Sequence, residues 1–236
     1  MKSLRWKTVF LLLTIVICSY TSSLIFANGI EKRKSIGKEY FSLDTNTKLT
    51  YETTFGDAIC TIKPDGESFV QELRSDDFEM NQHLNIIDDK YCVIDLQQEV
   101  DVFLFIKHNV DVTYSEPARL VGLPLMENKK WEWTGLEYIN DNTDTLFVTT
   151  EYAGDELLIT PAGEFNCKKI SYMIRKSSGK VTKYNEWRTP GIGLVKLEAE
   201  LDPKGFIGTL QRLLGYDEIY FTLKKVENIG LSQNIN

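Results

Sequence analysis

The segments 160-TPAGEFNCKKI-170 and 187-WRTPGIGLVK-196 decide how this chain is read. Each sets a Pro-Ala-Gly or Pro-Gly reversal against runs of aromatic, β-branched and aliphatic residues, the makeup of strands joined by sharp turns. Pro161 and Gly163 can turn the chain out of 156-ELLIT-160. Phe165 and Cys167, two residues apart, then face the same way and are expected in the core. Pro190, Gly191 and Gly193 are expected to bend or bulge the strand that follows Trp187, as a tightly curved sheet requires. A competing reading of the glycines is that they let a ligand or another backbone come close.

Working outward, the chain reads as short strands at fairly regular intervals. TKLTYETTF (47–55), SFVQELRS (68–75), DFEMNQHLNII (77–87), YCVIDLQQEV (91–100), VFLFIKH (102–108) and TLFVTTEY (145–152) precede the first motif. ELLITPAGEF (156–165), KKISYMIRK (168–176), VTKYNEWRT (181–189), GLVKLEAEL (193–201) and EIYFTLKKV (218–226) complete the set. Pro64-Asp65-Gly66, Asp88-Asp89, Ala153-Gly154-Asp155 and Ser177-Ser178-Gly179 supply hairpin turns. Alternation puts Tyr184 and Glu186 on one face opposite Asn185 and Trp187, and Ile219, Phe221 and Leu223 together, the pattern of an antiparallel sheet with one wet face. Val102 to Ile106 is apolar on both faces and suits a central strand.

One stretch reads as a helix, 202-DPKGFIGTLQRLLG-215. Asp202 can cap it, Pro203 suits the first turn, and Gly215 ends it. Its apolar face carries Phe206, Ile207, Leu210, Leu213 and Leu214, either to plug a curved sheet or to pack on the outside. The expected fold is therefore all-β with one short helix: a strongly curved antiparallel sheet or open β-barrel spanning 39–227 as a single domain, with a flexible tail at 228–236.

The N-terminus predicts export. Lys2, Arg5 and Lys7 precede an apolar run from Thr8 to Cys18, and small and polar residues lead to Ala27, so residues 1–27 read as a signal peptide cleaved near Ala27. Residues 28–38 form a polar linker. The rival reading is a membrane anchor formed by uncleaved residues 8–27, just long enough to span; membrane contact is expected only through that segment. Cleavage removes three positive charges and takes the net charge from −7 to −10, which argues against a nucleic-acid partner. Three cysteines then remain, Cys60, Cys92 and Cys167. One disulfide among them would leave a thiol over, while buried free thiols acting as small hydrophobes are the simpler reading. No metal site or other cofactor is expected, since His83 and His108 are the only histidines and no cysteines have ligand spacing. The loop 140-NDNTD-144 with Glu151 imitates a calcium loop, but Thr145 stands where glycine is required. A hairpin turn fits it better.

An internal echo aligns 41-FSLDTNTKLTYE-52 with 123-LPLMENKKWEWT-134. It matches Leu43 with Leu125, Asn46 with Asn128 and Lys48 with Lys130, and sets Tyr51 opposite Trp133, so the sheet is open to a reading as two related halves.

The pair TPAGEFNCKKI and WRTPGIGLVK resembles the TapB-like family of secreted bacterial proteins. The entry segment 41-FSLDTNTKLTYE-52 is similar to that family's as well, except that Leu49 stands where a Trp is usual. The resemblance implies an open β-barrel like those of the LolA and LolB lipoprotein carriers, and it implies no activity.

The sequence contains no nucleophile elbow, phosphate loop, zinc-protease helix or dinucleotide fingerprint, so an enzyme is not expected. Two functions remain. One is a non-enzymatic envelope or secreted module that binds a lipid or acylated peptide against a curved sheet lined in part by Trp131, Trp133 and Trp187. The other is a structural or protein-interaction component of the envelope, with a filled barrel and an unknown protein partner.

Overall fold

A computed structural model describes residues 37–54, 56–76, 78–101, 107–127, 129–139, 142–200 and 218–229. The expected signal peptide, nearly all of the linker, the apolar run 102–106, the helix 202–215 and the tail beyond Ile229 lie outside the described residues.

The fold is all-β. After a single 3₁₀ turn at Lys38–Tyr40, the strands are β1 (Thr47–Thr53), β2 (Gly56–Asp65), β3 (Ser68–Arg74), β4 (Phe78–Ile87), β5 (Lys90–Asp101) and β6 (Lys107–Gly122). They continue as β7 (Lys130–Ile139), β8 (Asn142–Thr160), β9 (Gly163–Lys176), β10 (Val181–Thr189), β11 (Gly193–Glu200) and β12 (Glu218–Asn228). Every strand pairs antiparallel with its neighbours in sequence, and β12 returns to pair with β1 from Asn228↔Thr47 to Phe221↔Thr53. The curvature expected from the sequence thus runs to closure, which leaves no outer edge strands along most of the wall.

Turn chemistry explains most of the meander. Asp88 and Asp89 both take positive φ (48° and 57°) between the paired Ile87 and Lys90, the geometry of a two-residue hairpin that matches strand twist. The Ser177–Gly179 turn is closed by Gly179 N–H donating to Lys176 O at 2.9 Å. Ala153-Gly154-Asp155 is not a turn. It lies inside β8, where the register with β9 shifts between Tyr152 and Gly154 and Gly154 has φ 120°, so TLFVTTEY and ELLIT form one continuous strand with a bulge.

Between β6 and β7, the ladder among the described residues comprises Val112↔Ile139, Thr113↔Tyr138 and Tyr114↔Glu137. Beyond these, side chains carry the seam: the Leu136 N–H donates to Ser115 Oγ (3.0 Å) and the Trp133 indole N–H donates to Glu116 (3.2 Å). Of β6, only Lys107 and His108 fall within a strand expected from sequence, VFLFIKH.

The interior is a continuous core that includes Leu73, Met80, Leu84, Leu96, Ile170, Leu197, Phe221 and Leu223. Two of the pairs that the sequence echo aligns are buried in both segments. Leu43 and Leu125 are both in this core, and Tyr51 on β1 and Trp133 on β7 are both buried, each in the first strand of a run of six.

Candidate functional site

Both diagnostic motifs form hairpins at the barrel rim. Pro161 and Ala162 link the closing pair Thr160↔Gly163, and Gly163 takes φ 133°. Cys167 is buried as expected, and Phe165 packs partly buried against the core. In the second motif, Pro190, Gly191 and Ile192 connect β10 to β11, and Gly191 and Gly193 have φ 77° and 91°, values that L side chains tolerate poorly. The expectation of a bent strand becomes a full reversal. The bulge lies just before it, where the register shifts between Trp187 and Arg188. The N-terminal segment is sewn to this hairpin: the Gly191 N–H donates to Glu39 O and Ser42 Oγ donates to Gly191 O, both at 2.9 Å.

That stitching carries Phe41 into the barrel, where it meets a buried charged cluster. Glu186 and Arg188 on β10 are both fully buried, and Arg188 Nε donates to Glu186 Oε2 at 2.7 Å. Tyr172 on β9 donates its hydroxyl to the same oxygen at 3.0 Å. The guanidinium lies 4.6 Å from the centre of the Phe41 ring and 5.8 Å from that of Tyr91 on β5, and the two rings stack at 4.9 Å. The contact from β10 to β5 fills the barrel at this level.

Burial pushes the Glu186 carboxyl up to about 7, outweighing the opposing pull of Arg188 and the hydrogen bonds from Arg188 and Tyr172. For Arg188, burial alone acts to lower the pKa, but Glu186, Tyr172 and Tyr91 reverse that, so the guanidinium stays cationic. Between the ordinary carboxylate value and about 7 the folded protein holds a proton that the unfolded chain has released. Stability from this group is therefore present at low pH and lost as pH rises through about 7. The expected result is a fall of about 3 kcal/mol across that window, at the 1.36 kcal/mol that one pKa unit represents, in the difference between wild type and Glu186→Gln. Denaturant melts of both at pH 5 and pH 8 measure it; equal differences at the two pH values would refute it.

The three tryptophans singled out from sequence do not share a face. Trp131 and Trp133 belong to the inward-facing alternate positions of β7, in register with Thr150 and Val148. Glycines make room for both rings: a Cβ on Gly122 would lie 2.1 Å from the Trp131 ring, and one on Gly135 would lie 2.3 Å from that of Trp133. Trp187 is on the opposite face from Glu186 and Arg188, in register with Lys169 and Lys196. It is nonetheless only 4% exposed. Its ring lies between the Lys169 and Lys196 ammonium groups, 4.8 and 5.1 Å from its centre, and its indole N–H donates to Glu156 at 2.6 Å.

Sequence reasoning missed a second buried ion pair, Lys176 with Glu137, which ties β9 to β7 near the seam with β6. It also missed a group of polar atoms on the inner wall. Gln71 and Gln82 are paired in register on β3 and β4; both amide atoms of Gln82, Gln71 Oε1 and Thr150 Oγ1 are buried without a hydrogen-bond partner. His83 is clamped on the other face of β4 by Asp95 (2.6 Å) and Asp65 (3.3 Å). Glu151 of the calcium-like loop is spent on an ion pair with Lys130 at 3.0 Å.

Cys60, Cys92 and Cys167 are all free and buried, and burial pushes the thiols of Cys60 and Cys167 up to about 12. Such thiols are poor nucleophiles. Protein beginning at Asn28 is expected to release almost no thiol to a titrating reagent when native, and three per chain when denatured without reductant. One thiol after denaturation would mean a disulfide.

Residues 126–207 match the DUF3108-like family model, a span that includes both rim motifs. A search of curated proteins finds no match. Among solved structures, the chain is similar to the hypothetical lipoprotein YmcC from Escherichia coli K12, at 13% identity and a TM-score of 0.42, with 76% of this chain and 84% of that one covered. It is also similar to a "putative exported protein with YmcC-like fold" from Bacteroides fragilis (13%, 0.40, covering 82% and 98%). A "putative lipoprotein" from Parabacteroides distasonis scores alike (14%, 0.38, covering 80% and 98%). At TM-scores this low the barrel is read from the chain's own strand pairings.

Proposed function

We propose that this is an extracytoplasmic, non-enzymatic binding protein whose barrel holds an amphiphilic ligand, a lipid or acylated peptide, with its polar group against Gln71 and Gln82. The observation that carries the reading is the set of unpartnered polar atoms of Gln71 and Gln82 on the inner wall, where Leu73, Met80 and Leu84 of the same two strands are core residues. Leaving such atoms unmatched costs about 1–3 kcal/mol each, so a partner is expected for them. The basic and apolar pattern of residues 1–27 supports export, as does the TapB-like resemblance of the two rim motifs; mature protein from its host is then expected to begin at or near Asn28.

The second reading is a structural or protein-interaction component of the envelope. It is favoured by the Arg188 layer, where the protein's own side chains occupy the barrel. Native mass spectrometry of protein purified from its host, wild type and Gln82→Leu, separates the two. A bound amphiphile that Gln82→Leu loses supports the carrier. A ligand-free wild type, with Gln82→Leu melting higher because a buried unmatched amide is gone, would refute it in favour of the second reading.

A further inference from the structure

Most of the barrel wall is closed, but among the described residues the far end of the β8–β9 ladder has an open edge. β7 stops pairing with β8 at Lys130↔Glu151, and β10 stops pairing with β9 at Arg188↔Lys168. The β8–β9 ladder continues to Thr160↔Gly163. Among the described residues, then, β8 from Tyr152 to Thr160 is paired on one side only, in a two-stranded ribbon that outruns its neighbours. The ribbon carries Leu157, 56% exposed, and Ile159, 81% exposed, on the same side. Its base is held by Trp187 through Glu156 and by the ion pairs Lys168–Asp155 (3.0 Å) and Lys169–Glu156 (3.1 Å). A supported edge with unpaired backbone groups and exposed aliphatic side chains is a template for a further strand.

We propose that the occupant is a second copy of this chain, its β8 edge added antiparallel across a two-fold axis at Leu157. The sequence is self-complementary in that register. Leu157 faces Leu157, Asp155 faces Ile159 and Glu156 faces Leu158, so no acid opposes an acid across the axis, and both acids already have lysine partners. The interface is isologous and closes at two copies. Pro161, without an N–H, ends the pairing on each side. An anionic lipid surface fits less well, because Asp155, Glu156 and Glu164 flank the aliphatic pair and the chain carries a net charge of −7.

Sedimentation velocity on protein purified from its host tests this across a concentration series. Wild type is expected to show a concentration-dependent dimer, and Ile159→Lys to weaken it at least tenfold with an unchanged melting temperature. Leu157→Cys, on the axis, is expected to link two copies without reductant, whereas Ile59→Cys, exposed on β2, is not. A wild type that stays monomeric to about 0.1 mM, roughly 5 kcal/mol of association, overturns the proposal, as does a dimer indifferent to Ile159→Lys. Monomers that bind phosphatidylcholine vesicles, with binding lost in Ile159→Lys, would overturn it in favour of a lipid surface.

Discussion

Arg188→Ala is expected to lower the unfolding free energy by about 3–5 kcal/mol, the usual effect of removing one partner of a buried ion pair. The loss has two sources. Glu186 keeps its burial and its Tyr172 hydrogen bond but loses its counter-charge, and the faces of Phe41 and Tyr91 lose the cation packed against them. Arg188→Lys should recover only part of this, because an ammonium group reproduces the charge but not the flat guanidinium on the Phe41 ring. The double variant Glu186→Leu with Arg188→Met should be far less destabilised than Arg188→Ala, since a buried pair replaced by apolar groups of similar volume is often neutral. Chemical denaturation of the three variants measures the effects. A loss below 1 kcal/mol for Arg188→Ala would show that the guanidinium does not hold β10 to β5.

Trp187→Ala should cost a similar amount, about 3–5 kcal/mol, although this side chain lies on the face of β10 opposite Arg188. Its ring is buried between two lysine ammonium groups, so truncation removes aromatic packing and two cation–π contacts together. It also removes one of the two partners of Glu156, the anchor of the projecting ribbon, and leaves it Lys169 alone. Trp187→Phe keeps a ring but not the N–H, and should retain most of the stability while the ribbon loosens. Thermal melting reads the first effect, and amide exchange at Leu157 to Ile159 the second. Unchanged melting in Trp187→Ala would place the ring's value in binding rather than in packing.

The two motifs and the alternation around them were enough to read an all-β, strongly curved antiparallel sheet, because turn residues and period-2 patterns are local properties. Tyr184 and Glu186 were correctly set on the face opposite Trp187. That both faces of β10 would be buried at this level was not legible: the face with an acid and an arginine is fully buried, and the tryptophan on the opposite face is buried as well. Nothing local reveals that Arg188 will meet Phe41, nearly 150 residues earlier, since that contact depends on closure of the whole wall. Most of β6 escaped notice for a different reason. Its run of polar residues and Pro117 reads as a break, yet Pro117 falls where the register with β5 jumps from Val93↔Ala118 to Asp95↔Thr113 and where the ladder with β7 has already ended. A proline costs no ladder bond there. Gln71 and Gln82 were hidden likewise, because glutamine in a strand ordinarily marks the wet face.

The pairing of β12 with β1 also governs how the chain must fold. Tyr220 N–H reaches Thr54 Oγ1 across 166 positions of sequence, whereas the other pairings around the wall join consecutive strands. Hairpins can form as soon as their two strands exist, but the last ladder brings together chain ends whose approach costs loop-closure entropy with nothing local to offset it. Closure is thus the slow, late event of a high-contact-order fold. Until it occurs, β1 and β12 are both open edges, and a chain cut before Glu218 would keep two of them permanently.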